Sequence, residues 1–232
     1  MQVKFLHDKV IEAEAEHLLK SFEAKQNKVI GYKIPVEDIA ELHLGYSFAY
    51  TDLRKYYPND EVHGMINFDT NEMLIHEGLE PSENPQYAGR CNYTIAHECG
   101  HDILHKAQVI EALKQIDLFK EQEANQILCR KDDASEHIEW QADRFAMYLL
   151  MPKANVHDFW KEHFGSYEPK LKSDFTNGFK QVTQTIRTES ELLEIALKDT
   201  AKDVFGVSAQ ALRIRLEGMG LLADCLNEPA MV

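Results

Sequence analysis

Apolar residues recur at helical spacing over much of this chain, and the pattern predicts a mainly helical protein. In residues 8–27 they return every three or four positions among Glu and Lys, as on one face of an amphipathic helix. A second helix is predicted from Pro35, a residue that suits a first helical turn, up to Gly45, which ends it. Further helical patterns cover residues 110–129 and begin again at Glu189.

One region in the first third of the chain has strand and turn signals instead. Residues 46–53 are rich in aromatics, as strands often are. Residues 62–68 and 72–77 flank the turn-forming triplet Asp69-Thr70-Asn71, so a hairpin is predicted there. We therefore predict an α+β fold that is mainly helical, with a small β-sheet beside the helix that carries the candidate chemistry.

That candidate chemistry is His97-Glu98-Cys99-Gly100-His101. Two histidines four residues apart lie on the same face of a helix, so both rings can bind one Zn²⁺ at about 2.1 Å. Glu98 is rotated off that line, which suits a carboxylate that accepts a proton from water beside the metal rather than a ligand.

Asn92 or Thr94 is predicted to cap this helix. A glycine such as Gly100 destabilises a helix interior by about 1 kcal/mol relative to Ala. Because that cost needs a compensating role, we predict that another backbone packs closely against this position.

A third metal ligand has to come from a separate element. His105 continues the stripe of His97 and His101, but its Cα would lie about 12 Å from that of His97 along the helix axis, too far to share one ion. His105 is therefore predicted to support a ligand histidine or to lie at the edge of the core. Downstream, Glu139 and Asp143 are one turn apart beside an apolar face. One of them can complete the metal site and the other can accept the remaining N–H of a ligand histidine. The alternative is that both are solvated surface carboxylates.

Two stretches together resemble a known family. Thr-Ile-Ala-His-Glu-Cys-Gly-His-Asp-Ile-Leu-His at residues 94–105 and Glu-Trp-Gln-Ala-Asp-Arg-Phe-Ala-Met-Tyr-Leu-Leu-Met-Pro at residues 139–152 are similar to the ImmA/IrrE zinc metallopeptidases. These enzymes have the gluzincin pattern of H-E-x-x-H plus a downstream Glu. The likeness covers about residues 30–152 and 190–222. Asn92 departs from the basic residue expected just before the active helix.

The resemblance implies a role for each matching residue. By position, it makes His97, His101 and Glu139 the metal ligands and Glu98 the catalytic acid/base. Asp143 would orient a ligand imidazole. The resemblance implies Zn²⁺ as the cofactor, with Mn²⁺ as the alternative, and a cytoplasmic transcriptional repressor of a mobile element or stress regulon as the protein substrate. A donor for the oxyanion is also expected, and the candidates near the motifs are Tyr87, Arg90, Tyr93 and His137.

We expect two regions: a zincin-like metallopeptidase domain at residues 1–185 and a C-terminal helical segment at residues 186–232 packed on it. Within that segment, residues 204–221 have a helix-turn-helix pattern with Gly206 and Ser208 at the turn. A DNA-reading helix needs basic residues. Residues 186–226 hold five Lys and Arg against seven Asp and Glu, which favours a structural or protein-binding role over DNA.

Bulk composition narrows the remaining alternatives. The 25 basic and 39 acidic residues give a net charge of −14, which disfavours nucleic acid and anionic membranes as partners. The N-terminus lacks the apolar core of a signal peptide, and the four cysteines have no C-x-x-C spacing. Free thiols in a reducing cytoplasm are therefore expected. The rival interpretations are a regulator-binding protein with a structural metal and a DNA-binding regulator acting through the C-terminal segment. The oligomeric state is left open.

Overall fold

The computed structural model describes residues 4–57, 62–116, 133–166, 168, 170–171 and 197–223. Its helices are α1 Asp8–Gln26, the short α2 Val36–Asp38 with its π-helical continuation Ile39–Leu44, α3 Ala88–Ile116, α4 Asp133–Leu150, α5 Lys153–Phe164 and α6 Ala209–Gly218. Its strands are β1 Ser47–Thr51, β2 Gly64–Asn67, β3 Glu72–His76, β4 Lys170–Leu171 and β5 Leu222–Ala223. Short 3-10 turns lie at Leu53–Lys55, Glu77–Leu79 and Pro85–Tyr87, and a π-helical turn lies at Ala201–Phe205.

The first two predicted helices are present, with one change at the second. Helix α1 buries the predicted apolar residues Ile11, Leu18, Leu19 and Phe22, whereas Val10 is exposed. The helix ends where Asn27 adopts a left-handed conformation at φ 51°. Pro35 precedes α2 instead of lying in its first turn. Gly45, at φ 82°, ends the π-helical continuation as expected, because glycine adopts positive φ without a steric penalty.

The predicted strands form a three-stranded sheet in the order β1-β3-β2. Strands β2 and β3 are the antiparallel hairpin, and Asn71 at φ 52° makes the turn. Strand β1 runs parallel to β3, pairing Ser47 with Glu72 through Thr51 with His76. Strand β3 is central, so among the described residues β1 and β2 are the edges of this sheet. The mainly helical α+β prediction is confirmed.

Helices α3 and α4 pack against each other at the centre of the protein, and Gly100 lets them approach closely. A Cβ at this position would lie 3.1 Å from the Ala142 Cα and 3.2 Å from the Phe145 Cβ. The predicted close approach at Gly100 is therefore confirmed, and the neighbour is the helix that carries Glu139. The predicted cap is wrong: α3 begins at Ala88, and Asn92 lies inside it and donates to the Gly206 carbonyl at 2.8 Å.

The end of the described chain has the helix-turn-helix form. Gly206 is in the left-handed region at φ 66°, and the Ser208 side chain accepts from the Ala211 N–H to cap α6. Strand β5 pairs parallel with β4. The helical predictions at residues 117–129 and 189–196 lie outside the described residues. Among the helices of the described ranges, none has the length and apolarity that crossing a bilayer requires.

Candidate metal centre

Helix α3 presents His97 and His101 on one face, as their spacing requires. Their Nε2 atoms lie 3.0 Å apart, with the two rings edge to face. The opposite side of the helix is set into the core, where Ile95 and Cys99 are fully buried. This apolar backing holds the two histidines on the side that faces α4.

Helix α4 brings Glu139 to the same point. Its Oε2 lies 3.1 Å from His97 Nε2, and its Oε1 lies 3.6 Å from His101 Nε2. Donor atoms of the three side chains all lie within 4.8 Å of one another. The two helices therefore bring together the three residues that the sequence analysis put forward as ligands.

The geometry of this group fits a metal ion. Nitrogen and carboxylate donors in a tetrahedral zinc site stand at about 2.0–2.2 Å from the ion, which puts neighbouring donors roughly 3.4 Å apart. The distances between donors here, 3.0, 3.1 and 3.6 Å, lie around that value. The Glu139 side chain is 46 % exposed, so the group is open to solvent on the α4 side. Two imidazoles and one carboxylate with an open side are the donor set of a catalytic rather than a structural zinc site.

Asp143 lies one turn beyond Glu139 and contacts His97 rather than His101. Its Oδ1 is 3.0 Å from His97 Nδ1. A carboxylate in that position accepts a hydrogen bond from Nδ1, so that Nε2 is the ring nitrogen directed at the metal group. Tyr93 donates to the Asp143 backbone carbonyl at 3.0 Å, which ties α3 to this turn of α4.

The charges of the site stabilise one another. Burial lowers the pKa of His97, but the hydrogen bonds to Asp143 and Glu139 outweigh burial and raise it to about 10. Without a metal the ring is therefore protonated on both nitrogens at neutral pH, and a metal ion would have to displace the Nε2 proton. Burial raises the pKa of Glu139, and its hydrogen bonds to His101 and His97 more than compensate, so the net shift is downward. Glu139 is therefore an anion across the physiological range, as a metal ligand must be.

Glu98 lies beside this group without joining it. Its side chain is buried against β2, where a Cβ on Gly64 would lie 2.6 Å from Glu98 Oε1. Burial raises the pKa of Glu98, while the charges of His101 and His97 oppose that shift. A carboxyl group whose pKa is raised toward neutrality suits proton transfer better than an ordinary glutamate. Sequence reasoning missed Gly64, although a glycine at a strand end is a signal of close backbone approach.

His105 lies behind His101 rather than in the metal group. Its Nδ1 is 3.1 Å from His101 Nδ1, on the side of that ring that faces away from Glu139. Burial lowers the pKa of His105 to about 3, so the ring is neutral. This position agrees with the supporting role expected from its spacing.

The four candidates for an oxyanion donor lie in different surroundings. Tyr93 is engaged with Asp143, and Arg90 pairs with His63 at the start of β2. Tyr87 is largely exposed, and His137 packs edge-on against the Phe5 ring. The described contacts assign none of the four to the metal group.

Residues 82–187 match a family model, Peptidase_M78, described as the IrrE N-terminal-like domain. The match confirms the resemblance to the ImmA/IrrE family. Among solved structures, the chain is similar to a Mycobacterium tuberculosis transcriptional regulator at 17 % identity and a TM-score of 0.46. That similarity covers 97 % of this chain and 58 % of the other, so this chain spans little more than half of that protein's length. No curated protein matches the chain.

Proposed function

We propose, on the premise that residues 82–187 form an IrrE N-terminal-like domain of the Peptidase_M78 family, that this chain is a zinc-dependent endopeptidase. The observation that carries the proposal is the convergence of His97, His101 and Glu139 from two helices, with their donor atoms within 4.8 Å. These three residues would hold the ion, and Mn²⁺ is the alternative to Zn²⁺. When bound, the ion would supply Lewis acidity, which polarises a peptide carbonyl and makes water more acidic.

The remaining roles belong to side chains of this chain. Glu98 is the general acid/base: it takes a proton from the attacking water and gives it to the leaving amine. Its raised pKa, caused first by burial, favours the second of these transfers. Asp143 holds the Nδ1 proton of His97 and so fixes the ring with Nε2 toward the metal group.

The edge of β2 is the proposed binding surface for an extended substrate. In the described part of the chain, β2 pairs with β3 on one side only. The His76 N–H donates to the His63 carbonyl, and antiparallel strands bond through alternate residues, so Gly64 and Ile66 turn their backbone groups to the other side. A peptide that pairs with this edge would pass Glu98, because Gly64 lies against that carboxyl group.

The proposed substrate is a cytoplasmic transcriptional repressor, cut to relieve repression of a mobile element or a stress regulon. The support for this step is the family to which residues 82–187 belong. Main-chain pairing at β2 would accept many sequences, so recognition of one repressor has to come from contacts beyond the scissile bond. The C-terminal segment, residues 186–232, is the proposed platform for those contacts.

The alternative hypothesis, a structural metal, requires a fourth protein ligand. A structural zinc has all four positions filled by protein groups. Within the described ranges the metal group holds His97, His101 and Glu139 alone, while His105 lies behind His101. A DNA-binding role for the C-terminal segment is weakened by Arg215, which is buried against Glu12.

The test is cleavage by matched variants loaded with zinc. The substrate to be tested is a candidate repressor, chosen from the genes that neighbour this chain's gene. Glu98→Gln keeps the size of the side chain but cannot accept the proton, so we expect cleavage to fall by at least about 100-fold with zinc content unchanged. Glu136→Gln, at an exposed position on α4, is the control and should cleave at the unaltered rate. Full activity of Glu98→Gln would remove Glu98 from its role, and absence of zinc binding by the unaltered chain would end the proposal.

A further inference from the structure

Two buried polar side chains, one on α3 and one on α4, lie behind the metal group. His105 and Gln141 are 1 % and 0 % exposed. Within the described residues, His105 Nε2 and Gln141 Oε1 have no partner at ordinary hydrogen-bond distance. Burial lowers the pKa of His105 and the neighbouring Gln141 side chain opposes that shift, so the two side chains are close, and a small adjustment would bring Nε2 and Oε1 to hydrogen-bond distance. A buried polar atom left without a hydrogen bond destabilises the fold, which favours the adjustment.

A backbone carbonyl fixes the direction of this contact. Gln141 Nε2 donates to the Lys4 carbonyl at 3.3 Å, and a carbonyl can only accept. The amide therefore presents its oxygen, Oε1, to His105. An acceptor in that position requires the His105 proton to be on Nε2, which leaves Nδ1 of His105 as an acceptor.

The same assignment of donors and acceptors determines which nitrogen of His101 carries the proton. The Nδ1 atoms of His101 and His105 are 3.1 Å apart, so one of them carries the hydrogen between them. Because Nδ1 of His105 is the acceptor, Nδ1 of His101 is the donor. The Nε2 of His101 then has a free lone pair, and that atom faces His97 and Glu139. The opposite arrangement would put a proton on Nε2 of His101 and two acceptors against each other at Gln141.

We infer that His105 and Gln141 are positioning residues that set the tautomer of His101 for metal binding, through a relay that ends on the Lys4 carbonyl. The relay rests on the proposed metal site and assigns a role to the histidine eight residues after the first ligand. The two ligand histidines are thus held differently. His97 is oriented by a carboxylate, Asp143, that is 56 % exposed, whereas His101 is oriented by buried neutral groups.

The direct test is NMR of the metal-free protein labelled with ¹⁵N in histidine. Ring ¹⁵N shifts distinguish the two neutral tautomers, and we expect the proton on Nδ1 in His101 and on Nε2 in His105. In His105→Phe, which keeps a ring but removes both nitrogens, we expect His101 to lose this single tautomer and the Kd for Zn²⁺ to rise about 10- to 100-fold. A His101 ring protonated on Nε2 in the unaltered protein would overturn the inference.

A second pair of variants separates positioning from packing. Gln141→Met keeps the volume but loses the acceptor, and should weaken zinc binding about tenfold. His17→Phe, at an exposed position on α1, is the control. Equal zinc affinity and the same tautomers in Gln141→Met and the unaltered protein would contradict the relay. Failure of the unaltered chain to bind zinc would instead contradict the proposed function, because the tautomers are measured without metal.

Discussion

The α3–α4 pair and the described part of the C-terminal segment, residues 197–223, both have sequence patterns that suggest function, yet their polar side chains have different surroundings. In the α3–α4 pair, donor atoms of three side chains converge within 4.8 Å on an open side of the protein. In the C-terminal segment, Arg215 turns inward, where it is 5 % exposed. Its Nε donates to the Met151 carbonyl at 3.1 Å, and its Nη2 pairs with Glu12 at 2.7 Å. The comparison shows that residue type identifies candidate functional residues. The contacts of each side chain then decide whether it belongs to a functional site or stabilises the fold.

Among the variants that test this comparison, we expect the largest effect from Arg215→Met, which should lower the free energy of unfolding. Methionine fills a similar volume but leaves Glu12 and the Met151 carbonyl without their partner, and it also removes the guanidinium that stacks on the Tyr148 ring. Breaking a buried ion pair in this way costs about 3 kcal/mol. We expect the free energy of unfolding, measured by chemical denaturation, to fall by that amount, with zinc affinity of the folded protein unchanged.

Lys202→Met is the matched control, because it removes one positive charge from an exposed position of the same segment. It should leave the free energy of unfolding within about 0.5 kcal/mol of the unaltered value. DNA binding measured on both variants adds a second readout. If the segment bound DNA through its phosphates, Lys202→Met would weaken that binding and reduce its salt dependence. Such a result would show that the C-terminal segment binds DNA in addition to stabilising the fold.

Local patterns predicted much of the fold and nearly all of the metal group. Helical spacing fixes His97 and His101 on one face, and the turn triplet at residues 69–71 fixes the hairpin, because both depend on near neighbours in the chain. The parallel pairing of β1 with β3 was not predictable in this way, since nothing local specifies a partner more than twenty residues away. The proximity of Gly64 to Glu98 and the relay through Gln141 to Lys4 also join distant segments. Those contacts depend on how whole elements pack.

Gly64→Ala tests the contact between β2 and Glu98. The new Cβ would lie 2.6 Å from both Glu98 Oε1 and Thr94 Cγ2, so one of these side chains has to move. Displacing a catalytic group by about 1 Å can cost 100-fold in rate. We expect kcat for the proposed cleavage to fall by about that factor while zinc content stays the same.

The control for Gly64→Ala is Gly31→Ala, where a Cβ would meet no atom within 4 Å. It should cleave at the rate of the unaltered chain. Equal cleavage rates for both variants would show that Glu98 still transfers protons after displacement. The contact between β2 and Glu98 would then not be needed for cleavage. Loss of zinc from Gly64→Ala would show instead that β2 supports the ligands as well as the acid/base.

The smallest effect concerns the spacing of α3 and α4, tested by Gly100→Ala against Gly218→Ala. Alanine gains about 1 kcal/mol over glycine inside a helix, and at Gly218 a Cβ would meet nothing within 4 Å, so that variant should not lose stability. At Gly100 the Cβ would lie 3.1 Å from Ala142 Cα and 3.2 Å from Ala142 O, which are backbone atoms of α4 and cannot rotate away. Overpacking of this kind costs about 1–3 kcal/mol, so a net loss of about 1 kcal/mol is expected in chemical denaturation.

The consequence for the metal group separates this loss from an ordinary packing defect. If α4 moves outward by a few tenths of an ångström, Glu139 moves away from His101, whose Nε2 already lies 3.6 Å from Oε1. Zinc affinity of Gly100→Ala, measured by competition with a chelator, should then fall together with stability, and Gly100→Val should lose more of both. Stability lost without any change in zinc affinity would show that the ligands adjust independently of the helix spacing. In that case the absence of a Cβ at residue 100 would serve the core rather than the site.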